Sequence, residues 1–367
     1  MASVAYSIFI LSLFVFTIVN LHPVSSEFDE YFFIFGDGLY DSGNTEYIIP
    51  DEYLPVYHSP YGNTYFKHGT GRYSDGRLIP DFIAHKVGFP DFIPPALNTS
   101  ANFTYGANFA SEGASVFDIQ QNNSLNFRNQ VRHFIELIKE WRADLQNITE
   151  VNRRLKKAVL LINIGTPDIL NANITSNTTD AQLETITTEV IGNISDKIKV
   201  LYDLGARKFV FQTPPPLGFL PYVKQTRNDS IISVKLNIVA LLVVDELYAA
   251  LMEIKQLNPA FNFTIFGDFF PIFWRVLLPP LFGFNESRVA CCGNGTVRGQ
   301  GCGVLGYEYC VCGNKREYLF FDGTHYSEAT NKQLVEMMWD KKSGFIFPYG
   351  VKDFFEISNS TSLKSAT

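Results

Sequence analysis

The chain has 367 residues, 46% of them hydrophobic, and a formal net charge of −7. That length and composition suffice for a large core in one or two domains. The acidic balance, with no block of like charge, argues against nucleic acid and against an anionic membrane surface as the partner.

Residues 1–26 lack Lys, Arg, Asp and Glu, and the run Tyr6–Val19 is apolar. Small residues at Val24-Ser25-Ser26 offer a cleavage point before Glu27, so 1–26 reads as a signal peptide. Its apolar core is short for the alternative, a transmembrane anchor. The best later candidate for a span, Leu236–Val244, soon meets Asp245 and reads as a core helix; no transmembrane span is expected.

Tyr31–Phe35 is apolar without alternation and ends in Gly36-Asp37-Gly38, the pattern of a strand buried on both faces followed by a sharp turn. Asp51–Thr70, rich in Tyr, Pro and Gly, reads as a surface loop. In GRYSDGRLIPDFIAHKVG, Gly71–Gly88, a helix opens near Leu78 with Pro80 in its first turn. Tyr105–Ala110 reads as a second strand, ending in Ser111-Glu112-Gly113-Ala114. Phe127, Val131, Phe134, Ile138, Trp141 and Leu145 recur at helical spacing.

Ala158–Ile164 is a third strand, stopped by Gly165-Thr166-Pro167-Asp168. Leu183 to Leu201 carry the next helical period, with Gly205 as its cap. Lys208–Gln212 and Phe261–Phe266 read as further strands, and Ile231–Ile254 as a mostly apolar helix between them. YLFF, Leu319 at its centre, precedes Asp322-Gly323-Thr324-His325, and a helix follows over Ser327–Trp339. The small, polar residues 356–367 read as a frayed tail. Strands alternating with helices predict a flavodoxin-like three-layer α/β/α sandwich around a five-stranded parallel sheet, in one domain over 27–355.

All five cysteines lie between Cys291 and Cys312, without a Cys-x-x-Cys pair, so no metal site is expected. One or two disulfides pinning a local loop, with at least one thiol left over, suit an oxidising lumen. Adjacent Cys291 and Cys292 are poorly placed to bond each other. Asn-x-Ser/Thr sequons occur at Asn98, Asn102, Asn122, Asn147, Asn173, Asn177, Asn193, Asn228, Asn262, Asn285, Asn294 and Asn359. In a secreted chain these are potential glycan sites. Asn262, inside a strand-like run, is the least favoured.

Four blocks together carry a resemblance. GDGLYDSGN after the first strand, GRYSDGR, GANFASEGAS over Gly106–Ser115, and FDGTH ending at His325 resemble the plant GDSL lipase/esterase family of the SGNH hydrolase superfamily. The resemblance runs from about Phe32 to Tyr349 and implies the same sandwich fold. It also implies a serine nucleophile, a histidine general base oriented by an aspartate, and an oxyanion hole made by a glycine N–H and an asparagine amide. By that correspondence Asp322 and His325 are the retained pair, and Gly113 is the oxyanion glycine. Gly38 stands in place of the nucleophile, and Pro167 in place of the oxyanion asparagine.

Glycine has no hydroxyl, and proline has neither a side-chain donor nor an N–H. Glu112 replaces a usual small residue and brings an acid near the oxyanion pocket. Ser42, four residues beyond Gly38, reads as support for the turn rather than a substitute nucleophile.

The expectation is therefore an inactive GDSL esterase/lipase-like protein, similar to the inactive and myrosinase-associated members in mustard-family plants. It would be a binding or scaffolding pseudoenzyme, needing no cofactor. Its partners would be secretory-pathway proteins, by resemblance in myrosinase-like complexes, or an uncleaved lipid or ester ligand. Its compartment would be the extracellular space, the vacuole or the lumen of ER-derived bodies. The competing reading is a residual carboxylic ester hydrolase in which His325 and Asp322 activate water directly. A blander third reading is a storage or stress protein without a ligand. Gly38→Ser alone is expected to restore little activity, and Gly38→Ser with Pro167→Asn more.

Overall fold

The computed structural model describes residues 28–49, 54–117 and 124–355. The expected signal peptide and tail, and the sequons at Asn122 and Asn359, lie outside the described residues.

The first strand, β1 (Phe32–Gly36), is buried at every position. Its side chains alternate between two helical layers, as a pleated strand requires. Phe33 and Phe35 meet Phe134 at ring-centroid distances of 4.8 and 5.6 Å, and Phe32 meets Phe89 and Phe355 at 6.1 and 5.7 Å. The short helix α1 (Thr45–Ile48) leaves the turn after β1, and α2 (Ile79–Val87) starts with Pro80 in its first turn. Then come α3 (Phe127–Leu145) and α4 (Ile148–Lys157), the latter not anticipated from sequence. Strand β2 (Val159–Asn163) leads into α5 (Thr166–Asn171) and the long α6 (Asp180–Asp203). Strand β3 (Lys208–Gln212), α7 (Pro221–Thr226), α8 (Ser230–Leu257), β4 (Asn262–Phe266) and α9 (Phe269–Leu277) follow. The pair β5 (Cys292–Gly293) and β6 (Cys310–Val311) precedes α10 (Glu328–Trp339) and β7 (Ile346–Phe347).

The main sheet runs β1-β2-β3-β4-β7. Its first four strands are parallel, with Ile34 opposite Leu161 and Phe209 opposite Phe263. Helices α2 and α10 pack together in one layer, and α3, α6 and α8 in the other. The α/β sandwich therefore stands, but the expected membership of its sheet needs two corrections. The fifth strand is β7, antiparallel to β4, not Tyr105–Ala110. That segment runs along the free edge of β1, where Phe32 N–H donates to Tyr105 O (2.9 Å) and Phe109 N–H to Ile34 O (2.7 Å).

It forms isolated parallel bridges rather than a regular ladder. Gly106 adopts φ +133°, and a Cβ there would lie 1.9 Å from Phe32 O, so the backbone presses closer to β1 than a regular strand does. Its outer side is closed by Asn44, whose amide donates to Asn108 O and Ala110 O. Counted by position, this edge gives the flavodoxin-like order 2-1-3-4-5.

The disulfides join Cys291 to Cys312 and Cys292 to Cys302, leaving Cys310 exposed as the free thiol among the described residues. They support the segment before α10. Cys291 and Cys292 N–H donate to Phe320 and Phe321 carbonyls at 3.0 and 2.7 Å.

The carboxyl end of β1 is held by one buried side chain. Gln130 Oε1 accepts from Gly36 N–H (2.9 Å), and its Nε2 donates to Gly36 O and Leu125 O, both at 2.8 Å. Replacing Gln130 by Met leaves the buried Gly36 N–H without a partner. We expect a loss of about 1–3 kcal/mol, read as a lower denaturant midpoint at unchanged slope.

Candidate functional site

At the carboxyl end of the sheet, the turns after β1, β2 and β3 surround a cleft of about 310 Å³. Open sheets of this kind gather their functional groups at that end. Gly38, Gly113, Pro167 and His325 all line the cleft, together with Asp37, Glu112, Thr166, Leu170 and Leu220. The sequence-predicted site residues are thus brought together, with Asp322 directly behind His325. Ser42 is buried and does not line the cleft. It is not a stand-in nucleophile.

The first turn is shaped by Asp41. Its carboxylate accepts from Gly43 N–H (2.8 Å), Asn44 N–H (2.7 Å) and Thr45 Oγ1 (2.6 Å). It also accepts from the Glu112 backbone N–H at 3.0 Å, which ties the Glu112 turn to the Gly38 turn. On the opposite wall Asp168 bonds Ser115 Oγ and Val116 N–H, joining the start of α5 to the same segment. Pro167 occupies the first turn of α5, where a missing N–H breaks no helical bond. Thr166 begins that helix rather than lying extended, as the residue before a proline usually would. Its hydroxyl is buried without a hydrogen-bond partner.

His325 is engaged on both ring nitrogens. Nδ1 lies 2.8 Å from Asp322 Oδ1, and Nε2 lies 3.1 Å from Glu112 Oε2. Asp322 also accepts from Tyr61 OH (2.8 Å), Thr324 N–H (3.0 Å) and His325 N–H (2.9 Å). Tyr73 lies against the imidazole at 4.9 Å between centroids.

An ionised carboxylate only accepts, so two of them facing both nitrogens call for two N–H donors, the imidazolium form. Burial opposes that charge, but Asp322 and Glu112 outweigh it and hold the His325 pKa well above the ordinary histidine range. Burial likewise opposes ionisation of Asp322, yet the His325 charge wins and its pKa is lowered. In this form His325 has no lone pair with which to take a proton.

Glu112 also occupies the space that a side chain at position 38 would enter. A Cβ on Gly38 would lie 1.6 Å from Glu112 Oε2 and 2.5 Å from His325 Nε2. A serine at position 38 therefore requires the Glu112 carboxylate to swing out. The sequence flagged Glu112 as an acid near the oxyanion pocket, but not as the partner of His325.

Asp37 is a second acid that sequence reasoning passed over; its position between a buried strand and a glycine turn was the available signal. Burial first, then the charge of Glu112, push its pKa up to about 7, and one carboxylate oxygen is buried without a partner.

No group of His, Cys, Asp and Glu able to hold a metal is found among the described residues. Of the sequons, Asn102, Asn147, Asn173, Asn177, Asn228 and Asn285 are exposed. Asn98, Asn193, Asn262 and Asn294 are half-buried. Asn262 lies on β4, as its surroundings in the sequence suggested.

The family model for GDSL-like lipase/acylhydrolase matches residues 32–338. The chain belongs to the GDSL lipase/acylhydrolase family. Among its relatives is Inactive GDSL esterase/lipase-like protein 25 of Arabidopsis thaliana, 34% identical over 343 residues, covering 93% of this chain and 78% of that one. GDSL esterase/lipase 5 of the same plant is 34% identical, covering 89% and 87%. GDSL lipase of Tanacetum cinerariifolium is also 34% identical, covering 90% and 88%.

Two expectations follow from the charges. Glu112→Gln removes one of the two carboxylates that favour the imidazolium, so the His325 pKa falls by about one pH unit or more, read from its ring-proton shift in an NMR titration. Asp37, ordinarily near 3.8 and here about 7, keeps a proton in the folded protein that the unfolded chain releases. Its contribution to stability therefore declines as pH rises from about 4 through 7. Asp37→Asn should gain over the parent across that window, by a few kcal/mol at most, in unfolding curves at pH 4 and pH 8.

Proposed function

We propose that this GDSL-family protein does not hydrolyse esters and serves as a binding protein of the secretory pathway. The observation that carries the reading is the Glu112 carboxylate on His325 Nε2, in the place that a nucleophile's side chain at position 38 would enter. A hydrolase of this design needs a neutral imidazole to take a proton from a hydroxyl. Here the hydroxyl is missing and the imidazole is charged. Pro167 further removes the amide that would steady an oxyanion.

Loss of a triad nucleophile costs about 10⁶ in kcat, and loss of one oxyanion donor about 10²–10³. Even without full additivity, little turnover is left. The same charge on His325 weighs against direct activation of water by His325 and Asp322. That relatives carry the word inactive in their names supports this reading.

The cleft retains apolar walls, Leu39, Leu170, Pro215 and Leu220, suited to an uncleaved acyl or lipid-like group; secretory-pathway proteins are the other class of partner. Paired cysteines and exposed sequons support a chain that loses a signal peptide at 1–26, carries glycans, and keeps one domain over 27–355 with a short tail. Its destination is the extracellular space, the vacuole or an ER-derived body.

A serine-directed phosphonate probe tests the proposal. The parent protein should stay unlabelled and inactive on aryl esters. Gly38→Ser should give weak labelling, because the new side chain must first displace Glu112. Adding Glu112→Ala and Pro167→Asn should raise both labelling and turnover, by about 10²–10³ over the single variant. Labelling of the parent, or ester turnover by the parent that is lost in His325→Ala, overturns the proposal.

A further inference from the structure

The stretch 269–284, FFPIFWRVLLPPLFGF, holds a single charged residue, Arg275, and that residue is buried. The fold turns only part of this segment inward. Phe269, Ile272, Val276 and Phe284 belong to the core, whereas Phe270, Trp274, Leu277, Leu278 and Leu281 are exposed, Leu281 at 76%. Their spacing puts them along one face of α9 and the 3₁₀ turn Pro279–Phe282 that extends it. Large apolar side chains contiguous on a surface mark an interaction site. We propose that this face docks on the surface of a lipid bilayer.

A protein partner is the lesser fit, because such interfaces carry hydrogen bonds alongside their apolar core, and this face offers rings and aliphatic chains with no polar side chain among them. Insertion at the level of lipid headgroups needs no directional partner, and suits Trp, Phe and Leu on one side of a short helix. No helix among the described residues is long and apolar enough to cross a membrane, so the contact is superficial.

Charge agrees with this. The protein is acidic overall, but none of its carboxylates lies in 269–284. Of the flanking carboxylates, Asp268 is buried and Glu286 is engaged by the backbone N–H groups of Ser287, Arg288 and Val289, and two cations stand beside the patch. Lys224 Nζ stands 5.6 Å over the Phe219 ring, and Phe219 packs on Phe273 at 5.9 Å. Arg288 is exposed just beyond the segment. These cations complement lipid phosphates, while the excess negative charge elsewhere keeps the rest of the molecule off an anionic surface.

The segment is joined to the cleft wall through Phe219, which packs on Phe273 and precedes the cleft-lining Leu220. Helix α9 follows β4 at the carboxyl end of the sheet, and Leu220 and Tyr222, next to Phe219, line the cleft wall. Docking would hold the cleft near the bilayer whether or not any ester is cleaved there. The inference does not rest on the loss of activity.

The test is flotation of the purified protein with phosphatidylcholine vesicles, paired with tryptophan emission. Trp141 is buried and Trp339 half-buried, so the exposed Trp274 dominates any change on binding. The protein should float with the vesicles and its emission should shift blue. Trp274→Ser with Leu281→Ser should weaken vesicle affinity about tenfold or more at an unchanged melting temperature, and Trp274→Phe should abolish the blue shift while keeping flotation.

Absence of flotation overturns the proposal, as does equal flotation of the double variant. So does a concentration-dependent dimer, relieved by the double variant in a protein that ignores vesicles; the face would then meet a second copy. Binding confined to phosphatidylserine vesicles and unaffected by the double variant also overturns it.

Discussion

The imidazole of His325, held between Asp322 and Glu112, is the interaction on which the character of the cleft depends. In an acyl-transfer site of this design, one ring nitrogen faces a carboxylate and the other faces a hydroxyl, and the asymmetry makes the ring a base. Here both faces are carboxylates. The ring becomes the cation of an ion triad, with His325 and Asp322 buried and Glu112 partly exposed, whose charges largely satisfy one another. A buried charge left alone would be strongly destabilising, and Glu112 supplies the partner for Nε2 that Gly38, without a side chain, does not.

The scaffold accommodates glycine at 38 and proline at 167 because each falls where the backbone is indifferent to the side chain. Gly38 lies in a turn already built around Asp37 and Asp41. Pro167 lies in a helix's first turn, where its missing N–H is no loss. The supports of the turns are of another kind. Gln130 closes the end of β1, Asp41 ties the Glu112 segment to the Gly38 turn, and Asp168 ties that segment to α5. Each is a buried polar group with several partners, and losing one would leave unsatisfied donors in the core. The shape of the cleft therefore rests on these buried supports and not on the side chains at positions 38 and 167.

Much of this was legible in the sequence. Apolar runs marked β1 and β2, strand-like stretches β3 and β4, helical periodicity α3 and α6 and an apolar stretch α8, while the family resemblance marked α10 and placed Gly38, Gly113, Pro167 and His325 around one cleft. The misses have physical causes. Tyr105–Ala110 has a strand's composition, but Gly106 bends it into a close approach to β1. Ile346–Phe347 is too short to show a period, and it joins the sheet only because the edge of β4 is free. Helix α4 buries just Val151 and Leu155 among its charges, leaving a weak apolar signal. Glu112 was visible as an anomaly, but its reach to His325, a residue 213 positions away, depends on how Asp41 orients its turn.

The charge arrangement also sets the conditions under which the cleft is most comfortable. Asp37 and His325 both bind protons more tightly in the folded protein than in the unfolded chain. The cause for Asp37 is burial with Glu112 near by; for His325 it is the carboxylates on either side. Each contribution is present at low pH and fades as pH climbs, for Asp37 through about 7 and for His325 from its ordinary value near 6.5 upward. The two contributions run in the same direction with pH, although the His325 charge itself holds the Asp37 pKa down somewhat, and Glu112 enters both. A single carboxylate therefore fills the space beside Gly38, fixes the histidine's proton and biases the cleft toward acidic surroundings, three consequences of one side chain placed against His325.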